Sequence, residues 1–453
     1  MKNKIIGVII FFILFLIFNS LIFSQTINLE QARLIGLANS RSLARYEMAI
    51  RNSILDEKNQ LYSMLPQVSA GFSASLNYLK AWSFINPIDT FSVGANLSIT
   101  YIIYQGGKEY INRAISKIST ESVRKDALSE YFSVLDSIDN AYYAVLEASA
   151  NLEAEESSLQ AAVLGLSIAE VRQMSGMINQ GDYLKALADK EARENSYNQA
   201  RRNLAMSNNR FKTLIGISET AGLEAISFDQ YEEIILHLSS ISDEDAVLLY
   251  KEFWKILVAE NPSLAKAVIN NKRAELNFSL SKRDYIPTIS ATIFGTGLQY
   301  SVANGFNSSA EGGISIRGSI PVDFWVLRNR LEKSRISRDS AVLDYQNAES
   351  SLEQELQNSL FTLFSQAGSV LSSRRSLEYT KRHFDYVMER YRLGQSSVSD
   401  LNEATTLFIN SRNSSTKANY SFLQSLSKLR SLCAMDDEER LLKILLQDSN
   451  NAN

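Results

Sequence analysis

Two ladders of apolar residues, each stepping by seven, leave few folds open to this chain. Ile138, Val145, Leu152, Leu159 and Leu166 make the first; Leu356, Leu363, Val370, Leu377 and Phe384 repeat it 218 residues later, with Tyr391 one step further. A seven-residue period is that of coiled coils. The first ladder lies in a helical stretch from Lys108 to about Gln173, roughly 65 residues or ~100 Å at 1.5 Å per residue. Each ladder runs into a glycine break, and Arg172, Gly176 and Asp182 stand at the same spacing as Arg390, Gly394 and Asp400. In the second break Leu393-Gly394-Gln395-Ser396-Ser397 turns the chain, and Ser399 or Asp400 supplies a helix N-cap. Beyond the first turn a helix from Asp182 to about Leu214 is ended by Gly216. Beyond the second, Leu401, Ala404, Phe408, Ser411, Ser415, Ala418, Phe422, Ser425 and Leu429 alternate spacings of three and four. Small residues in half of that seam predict closely approaching helices. The chain therefore makes a long antiparallel helical hairpin twice.

Each hairpin is preceded by a change of period. Asn28-Leu29-Glu30-Gln31 reads as a capping box opening a helix, which runs to about Met64 and is stopped by Leu65-Pro66. Then Ala70, Phe72, Ala74, Leu76 and Tyr78 alternate with small polar residues. After a loop holding Trp82, Asn86 and Pro87, so do Phe91, Val93, Ala95, Leu97, Ile99, Tyr101 and Ile103. These are two strands of ~11–13 residues with one apolar face. Asn261-Pro262-Ser263 opens a second helix that ends at Ile286-Pro287. Alternation over Ile289–Val302 follows, with a phase slip near Gly295 that predicts a bulge. A further strand sets Ile314, Ile316, Ile320 and Val322 against Ser315, Arg317 and Ser319. Between the repeats, residues 217–260 fit no long period and are acidic, which predicts a connector with short elements. The domain plan is a signal peptide over 1–24, a first repeat over 25–216, the connector over 217–260, a second repeat over 261–435 and a charged, peripheral tail over 436–453.

The leader rests on Lys2 and Lys4 before the apolar run Ile5–Phe18, with Ser20 and Ser24 at a small-residue exit. Ile5–Phe23 is nearly long enough to be an uncleaved anchor instead. No cysteine is near the cleavage site to take a lipid, and no other stretch is apolar over about 20 residues. A net charge of −4 without a basic stripe argues against a nucleic-acid partner. Cys433 is the one cysteine, and His237 and His383 are far from it in sequence, so neither a disulfide framework nor a Cys/His metal site is expected. No P-loop, activated nucleophile or metal-ligand cluster is found, so the chain is read as a non-enzyme without cofactor.

A two-stranded hairpin with a wholly apolar face is marginal in water, although a soluble hairpin domain capping a coiled coil would use the same pattern. In a bilayer, a tilted ~11-residue strand spans the hydrocarbon with apolar residues out and polar residues in. Open edges are not tolerated there, and four strands are too few to close, since small barrels need about eight. The chain must pool strands with other copies. The helix-ending Leu65-Pro66-Gln67-Val68 and Ile286-Pro287-Thr288-Ile289, the strand exit Tyr104-Gln105-Gly106-Gly107-Lys108 and the two Gly-to-Asp turns, in that order and twice over, resemble the TolC-like outer-membrane efflux proteins across essentially the whole mature sequence. The resemblance implies a mixed fold. Long coiled-coil hairpins form an α-barrel, four strands per chain make a transmembrane β-barrel, and two tandem repeats build both. It also implies a homotrimer in the outer membrane, extending into the periplasm. Such a protein acts as a passive duct for efflux or type I secretion, working with a periplasmic adaptor (membrane fusion) protein and an inner-membrane pump.

On the resemblance, Asp400 and Glu403 match acidic residues that ring the narrow end of the tunnel, and Asp182 and Tyr391 match partners that hold it closed. Charged rings of this kind select cations. Asp400 equally fits a helix cap, and Tyr391 equally ends its ladder. Ser396 stands where the family carries a bridging arginine, which leaves Arg390 or Arg392 with Asp182 as alternatives. Gly176, Leu393 and Gly394 are expected at the adaptor-docking tip. Lys108, Arg328, Arg330 and Lys333 follow the strand exits and are read as contacts to lipid head groups at the membrane rim, or as ordinary solvated helix ends. The rival reading is a secreted or anchored structural coiled coil or adhesin without a pore; a simple porin has no use for ~100 Å helices. The cargo is not written in these residues.

Overall fold

In a computed structural model, the described residues are 26–79, 88–218, 222–301, 305–307 and 311–446. The leader over 1–24, the loop bearing Trp82, Asn86 and Pro87, and the end of the tail lie outside them. The capping box at the first helix forms as expected. Asn28 Oδ1 accepts from the Gln31 amide at 2.8 Å, and Gln31 Oε1 accepts from the Asn28 amide at 3.2 Å. The expected single helix is two: α1, Leu29–Asn39, and α2, Arg41–Tyr62. Between them Ser40 is extended and its hydroxyl accepts from the Leu43 amide at 3.4 Å, a local bond that competes with helix continuation.

Four strands form where the sequence alternates and a short fifth is added between the last two: β1 Gln67–Leu79, β2 Ile88–Tyr104, β3 Thr288–Ser301, β4 Gly305–Asn307 and β5 Glu311–Ser319. The antiparallel order is β1-β2-β3, with β4 and β5 paired in succession along the outer side of β3, so the sheet is four strands wide. Among the described residues no pairing joins β1 to β5, and the sheet is open. Register sets like residues side by side across the strands, because a pleat alternates side chains and directly paired residues share a face. Val68, Ile99, Ile293 and Ile314 are paired in a row, and so are Gln67, Thr100, Thr292 and Ser315. Hydroxyls link across the polar face, Ser69 to Ser98 at 2.7 Å and Thr100 to Thr292 at 3.2 Å. On the apolar face Phe72 is 89% exposed, so nothing among the described residues covers it.

Two expectations about the second pair of strands change. Gly295 is in register with Leu97, and the extra residue falls between Gly297 and Tyr300, opposite Ala95 and Val93. The apparent slip arises from Phe294, which lies on the polar face with its ring against its cross-strand partner Gly313. An aromatic covering a cross-strand glycine restores packing that the glycine lacks. The last strand stops at Ser319, leaving Ile320 and Val322 outside it, because Pro321 cannot donate to a ladder.

The remaining helices are α3 Lys108–Met174, α4 Gln180–Ile215, α5 Glu232–Ser239, α6 Asp243–Glu260, α7 Pro262–Lys282, α8 Phe324–Arg392, α9 Val398–Leu432 and α10 Glu438–Leu445. The described residues pack as two units. One comprises residues up to 44, 128–261 and 351 onward; the other comprises 45–127 and 262–350.

Within the first unit the predicted α9 seam is buried except at Phe408, which is half-buried and stacks on Phe384 with ring centroids 5.2 Å apart. On α8 Leu356, Leu363, Val370 and Tyr391 are buried. On α3 Ile138 and Val145 are buried, but farther along the helix the buried positions are Ala154, Ser158, Ala162, Gly165 and Ala169. Leu152, Leu159 and Leu166 are half-buried beside them. Close approach of backbones selects the small residues, and the leucines flank the seam. The acidic stretch before Asn261 holds more order than expected. α6 is capped by Ser242, whose hydroxyl accepts from the Asp245 amide at 3.1 Å, and buries Leu249, Phe253 and Leu257. Three acidic residues in its first turn suit the helix dipole.

The C-terminal segment is not peripheral up to residue 446. α10 buries Leu441, Ile444 and Leu445. Its Glu438 joins a charged cluster around Asp139, which has no exposed surface. Asp139 accepts from Arg33 at 2.6 and 2.9 Å, from Arg430 at 2.6 Å and from Ser427 at 2.9 Å. Glu438 lies 3.3 Å from Arg33 and 3.4 Å from Arg430, and accepts from the Tyr231 hydroxyl at 2.8 Å. Two cations face two carboxylates, so burial leaves no net charge.

Candidate gate at the helical turns

Both turns use the same backbone device. At the end of α3 Gly176 has φ +70°, and the Gly176 and Met177 amides bond back to the Gln173 and Arg172 carbonyls. At the end of α8 Gly394 has φ +78°, and the Gly394 and Gln395 amides bond back to Tyr391 and Arg390. A left-handed residue that closes such a helix end is ordinarily glycine. The N-caps lie closer to the glycines than the sequence reading placed them. Asn179 caps α4, accepting from the Asp182 amide at 2.9 Å; Ser397 caps α9, accepting from the Asp400 amide at 3.1 Å.

Asp400 closes a capping box. Its Oδ2 accepts from the Ser397 amide and from the Ser396 hydroxyl, both at 2.9 Å. The Ser397 amide, with the Ser396 and Ser397 hydroxyls, holds this carboxyl below the usual aspartate range. Ser396 thus helps fix an acidic side chain. Glu403 is exposed one turn on. Asp182 is half-exposed, with Lys185 at 3.8 Å.

Tyr391 is 1% exposed and sits in a core of Ala169, Ala186, Val387, Met388, Val398, Leu401 and Ala404. Its hydroxyl donates to the Gly165 carbonyl at 3.2 Å, not to Asp182. Burial pushes its phenol above the usual range; Arg172 opposes that and the Asp182 charge adds to it. Arg390 donates to the Gln395 carbonyl at 3.0 Å and Arg392 lies 3.8 Å from Glu389, so within the chain neither meets Asp182.

Next to the turns Arg172 joins Tyr391 in tying the two hairpins together. It lies over the Tyr391 ring at 4.8 Å and donates to the carbonyls of Tyr391 and, at 3.4 Å, Arg392. It therefore adds a second donor to the Tyr391 carbonyl, which also accepts from the Gly394 amide, and supplies one to the Arg392 carbonyl, while making a cation–π contact. Its place four residues before Gly176, matching Arg390 before Gly394, was the only sequence signal for it. Around the turns Met174, Met177 and Leu393 are 74%, 76% and 64% exposed, making an uncovered apolar tip beside Gly176 and Gly394.

The rim residues divide. Lys108 pairs with Asp284 at 2.7 Å and Arg330 with the same carboxylate at 3.3 Å, while Arg283 donates to the Gly106 carbonyl. Burial alone would raise the Asp284 carboxyl, but Lys108 and Arg330 outweigh it and hold it below the usual range. Lys108 and Arg330 thus brace the strand exits, and Arg328 and Lys333 are exposed.

The profile of the outer membrane efflux proteins matches residues 36–217 and 255–434, most of the chain. The chain belongs to the outer membrane efflux protein family. Solved channels share the fold of this efflux protein. The outer-membrane channel OprN has a TM-score of 0.73 at 16% identity, covering 90% of this chain and 89% of its own. The Campylobacter jejuni CmeC outer membrane channel gives 0.73 at 16%, over 93% and 90%. The outer membrane protein VceC from Vibrio cholerae gives 0.71 at 14%, over 90% and 97%. No curated protein matches the sequence of this efflux protein.

Proposed function

We propose that this outer membrane efflux protein is a passive exit duct in which three copies close one twelve-strand barrel and one periplasmic α-helical tunnel. The supporting observation is the sheet: among the described residues one face is apolar and uncovered, one face is polar and hydroxyl-linked, and neither edge has a partner strand. That is the pattern of a barrel segment with lipid outside and water inside. Two repeats of helix, strand pair and long hairpin, joined by the segment over 217–260, make up the wall. The helical turns form the narrow end. Gly176, Leu393 and Gly394, with Met174 and Met177, offer an apolar tip for a periplasmic adaptor that links the duct to an inner-membrane pump. Arg328 and Lys333 face lipid head groups at the membrane rim.

The gate in this reading is Asp400 and Glu403 from each copy. Converging carboxylates concentrate cations and repel anions. Opening parts the hairpins at the Arg172–Tyr391 junction, and Asp182 takes its closing partner from the neighbouring copy. The test is conductance in planar bilayers: the unaltered protein is expected to prefer cations, and Asp400→Asn with Glu403→Gln to lose most of that preference. A double variant with unchanged selectivity would falsify the gate assignment, and a protein that conducts nothing would end the duct reading.

A further inference from the structure

Charge is scarce on the strands. β1, β3 and β4 have no charged residue, β2 has Asp89, and β5 has Glu311 and Arg317. Asp89 pairs with Tyr78, at the end of the sheet opposite the exits into α3 and α8. Ser315 pairs with Thr292 and Arg317 with Ser290, so both lie on the hydroxyl-bearing face. Ile102 stands one strand further along the row of Arg317, so neither in-register neighbour is a carboxylate. Arg317 is exposed, and among the described residues it has no ion-pair partner. At the strand exits Asp284 is taken by Lys108 and Arg330. Glu311 shares the face but is six residues away, ~20 Å at ~3.4 Å per residue. That is more than twice the screening length of ~8 Å in physiological salt. In the duct reading the strand that closes against β5 is β1 of the next copy, which supplies no carboxylate either. An ionised side chain in a membrane-spanning wall that lacks a partner faces water.

We propose that Arg317 from each of three copies forms a ring of unpaired guanidinium groups in the barrel lumen, at its end next to the helices, and that this ring draws anionic solutes. The inference rests on the duct reading and adds a second selective station to it. Rings of arginine or lysine favour anions and phosphates in pores. The planar guanidinium fork also bonds two oxygens of one carboxylate or phosphate at once. The sign is opposite to that of the gate at Asp400 and Glu403. The gate still sets the preference of the whole duct, because its carboxylates converge on a narrow end while the Arg317 groups stand around a wider lumen, and a charge acts less with distance. The ligand class is a solute carrying a carboxylate, sulfonate or phosphate, met after the gate.

The test reads the local potential with two thiol probes, sulfonatoethyl methanethiosulfonate (an anion) and trimethylammonioethyl methanethiosulfonate (a cation). They are applied to the full chain carrying Ser315→Cys in lipid vesicles; the native Cys433 is buried. Each rate is divided by that for a small free thiol, and the anion-to-cation ratio cancels any change in reactivity of the thiol itself. A unit charge ~7 Å away in water shifts the two rates about two- to threefold in opposite senses, and so the ratio about five- to tenfold. In ~0.01 M salt, where charges act over ~30 Å, the ratio is expected well above one, and in 1 M salt, where they act over ~3 Å, near one. Adding Arg317→Gln is expected to lower the low-salt ratio about fivefold, and Arg317→Lys to keep it. A ratio that Arg317→Gln leaves unchanged overturns the ring and leaves the duct standing, and so does a loss with Arg317→Lys equal to that with Arg317→Gln. Should Arg317→Gln fail to assemble, a ratio of Ser315→Cys that does not respond to salt overturns the ring by itself. Ser315→Cys inert to both probes while Ile314→Cys reacts means that the faces are reversed, and overturns the duct as well.

Discussion

Asp139 is the residue whose environment has most to lose. Its carboxylate is wholly buried and accepts from two arginines and a serine. Asp139→Asn leaves Arg33 and Arg430 with only the shared Glu438 carboxylate, and breaking a buried pair in this way costs about 3–5 kcal/mol. A marked fall in the unfolding midpoint, with the helix content of surviving protein unchanged, is the expected result. Cys433 offers a second test. Burial, with a smaller push from the Glu260 charge, raises its thiol to about 12, so native protein at neutral pH is expected to resist maleimide and to react once unfolded. At Asp400 the sign runs the other way. A carboxyl held below its usual range adds cap stability that is complete above the unfolded-state pKa and is lost as pH falls through the depressed folded value.

Among the elements, the turns are the most exposed to a single change. A Cβ at Gly176 would meet nothing within 4 Å and one at Gly394 only Arg172 at 3.6 Å, so the cost of alanine there is backbone strain and not collision. That strain is about 1–2 kcal/mol per residue. Gly176→Ala and Gly394→Ala are each expected to lower the thermal midpoint modestly, with Gly394→Ala disturbing the Arg172 junction as well. Small residues explain why the α9 seam was legible residue by residue: Ala404, Ser411, Ser415 and Ala418 show in the sequence how near another helix must come. The same logic was hidden on α3, where a leucine ladder drew attention from the Ala154, Ser158 and Ala162 row beside it. Ser40 and α10 were not legible, since the first depends on one weak side-chain bond and the second on partners that the sequence scatters.

In the duct proposed above, selectivity would join the residue chemistry to the architecture. The Asp400 carboxyl is held below the ordinary aspartate range, so on the proposed gate cation preference is expected to persist from neutral pH through that range and to fail only below it. Asp400→Asn alone should move the acid-side loss of selectivity upward, measured as reversal potential against pH. A profile identical in the variant would mean that Asp400 serves its helix and not the aperture.

By itself the sequence determined what repeats along the chain: two ladders of seven, two glycine turns, alternating strands with one apolar face, and helix stops at Pro66 and Pro287. Those are local consequences of helical and strand period and of backbone allowance, and they need no knowledge of what lies across the fold. Only the tertiary structure decided that Arg172 caps the partner hairpin, that Tyr391 bonds Gly165 and that Asp139 gathers Arg33 and Arg430. Such pairings depend on which segments meet in space. A charge or an apolar side chain reads the same along the chain whether its partner is four residues away, hundreds away, or on another copy.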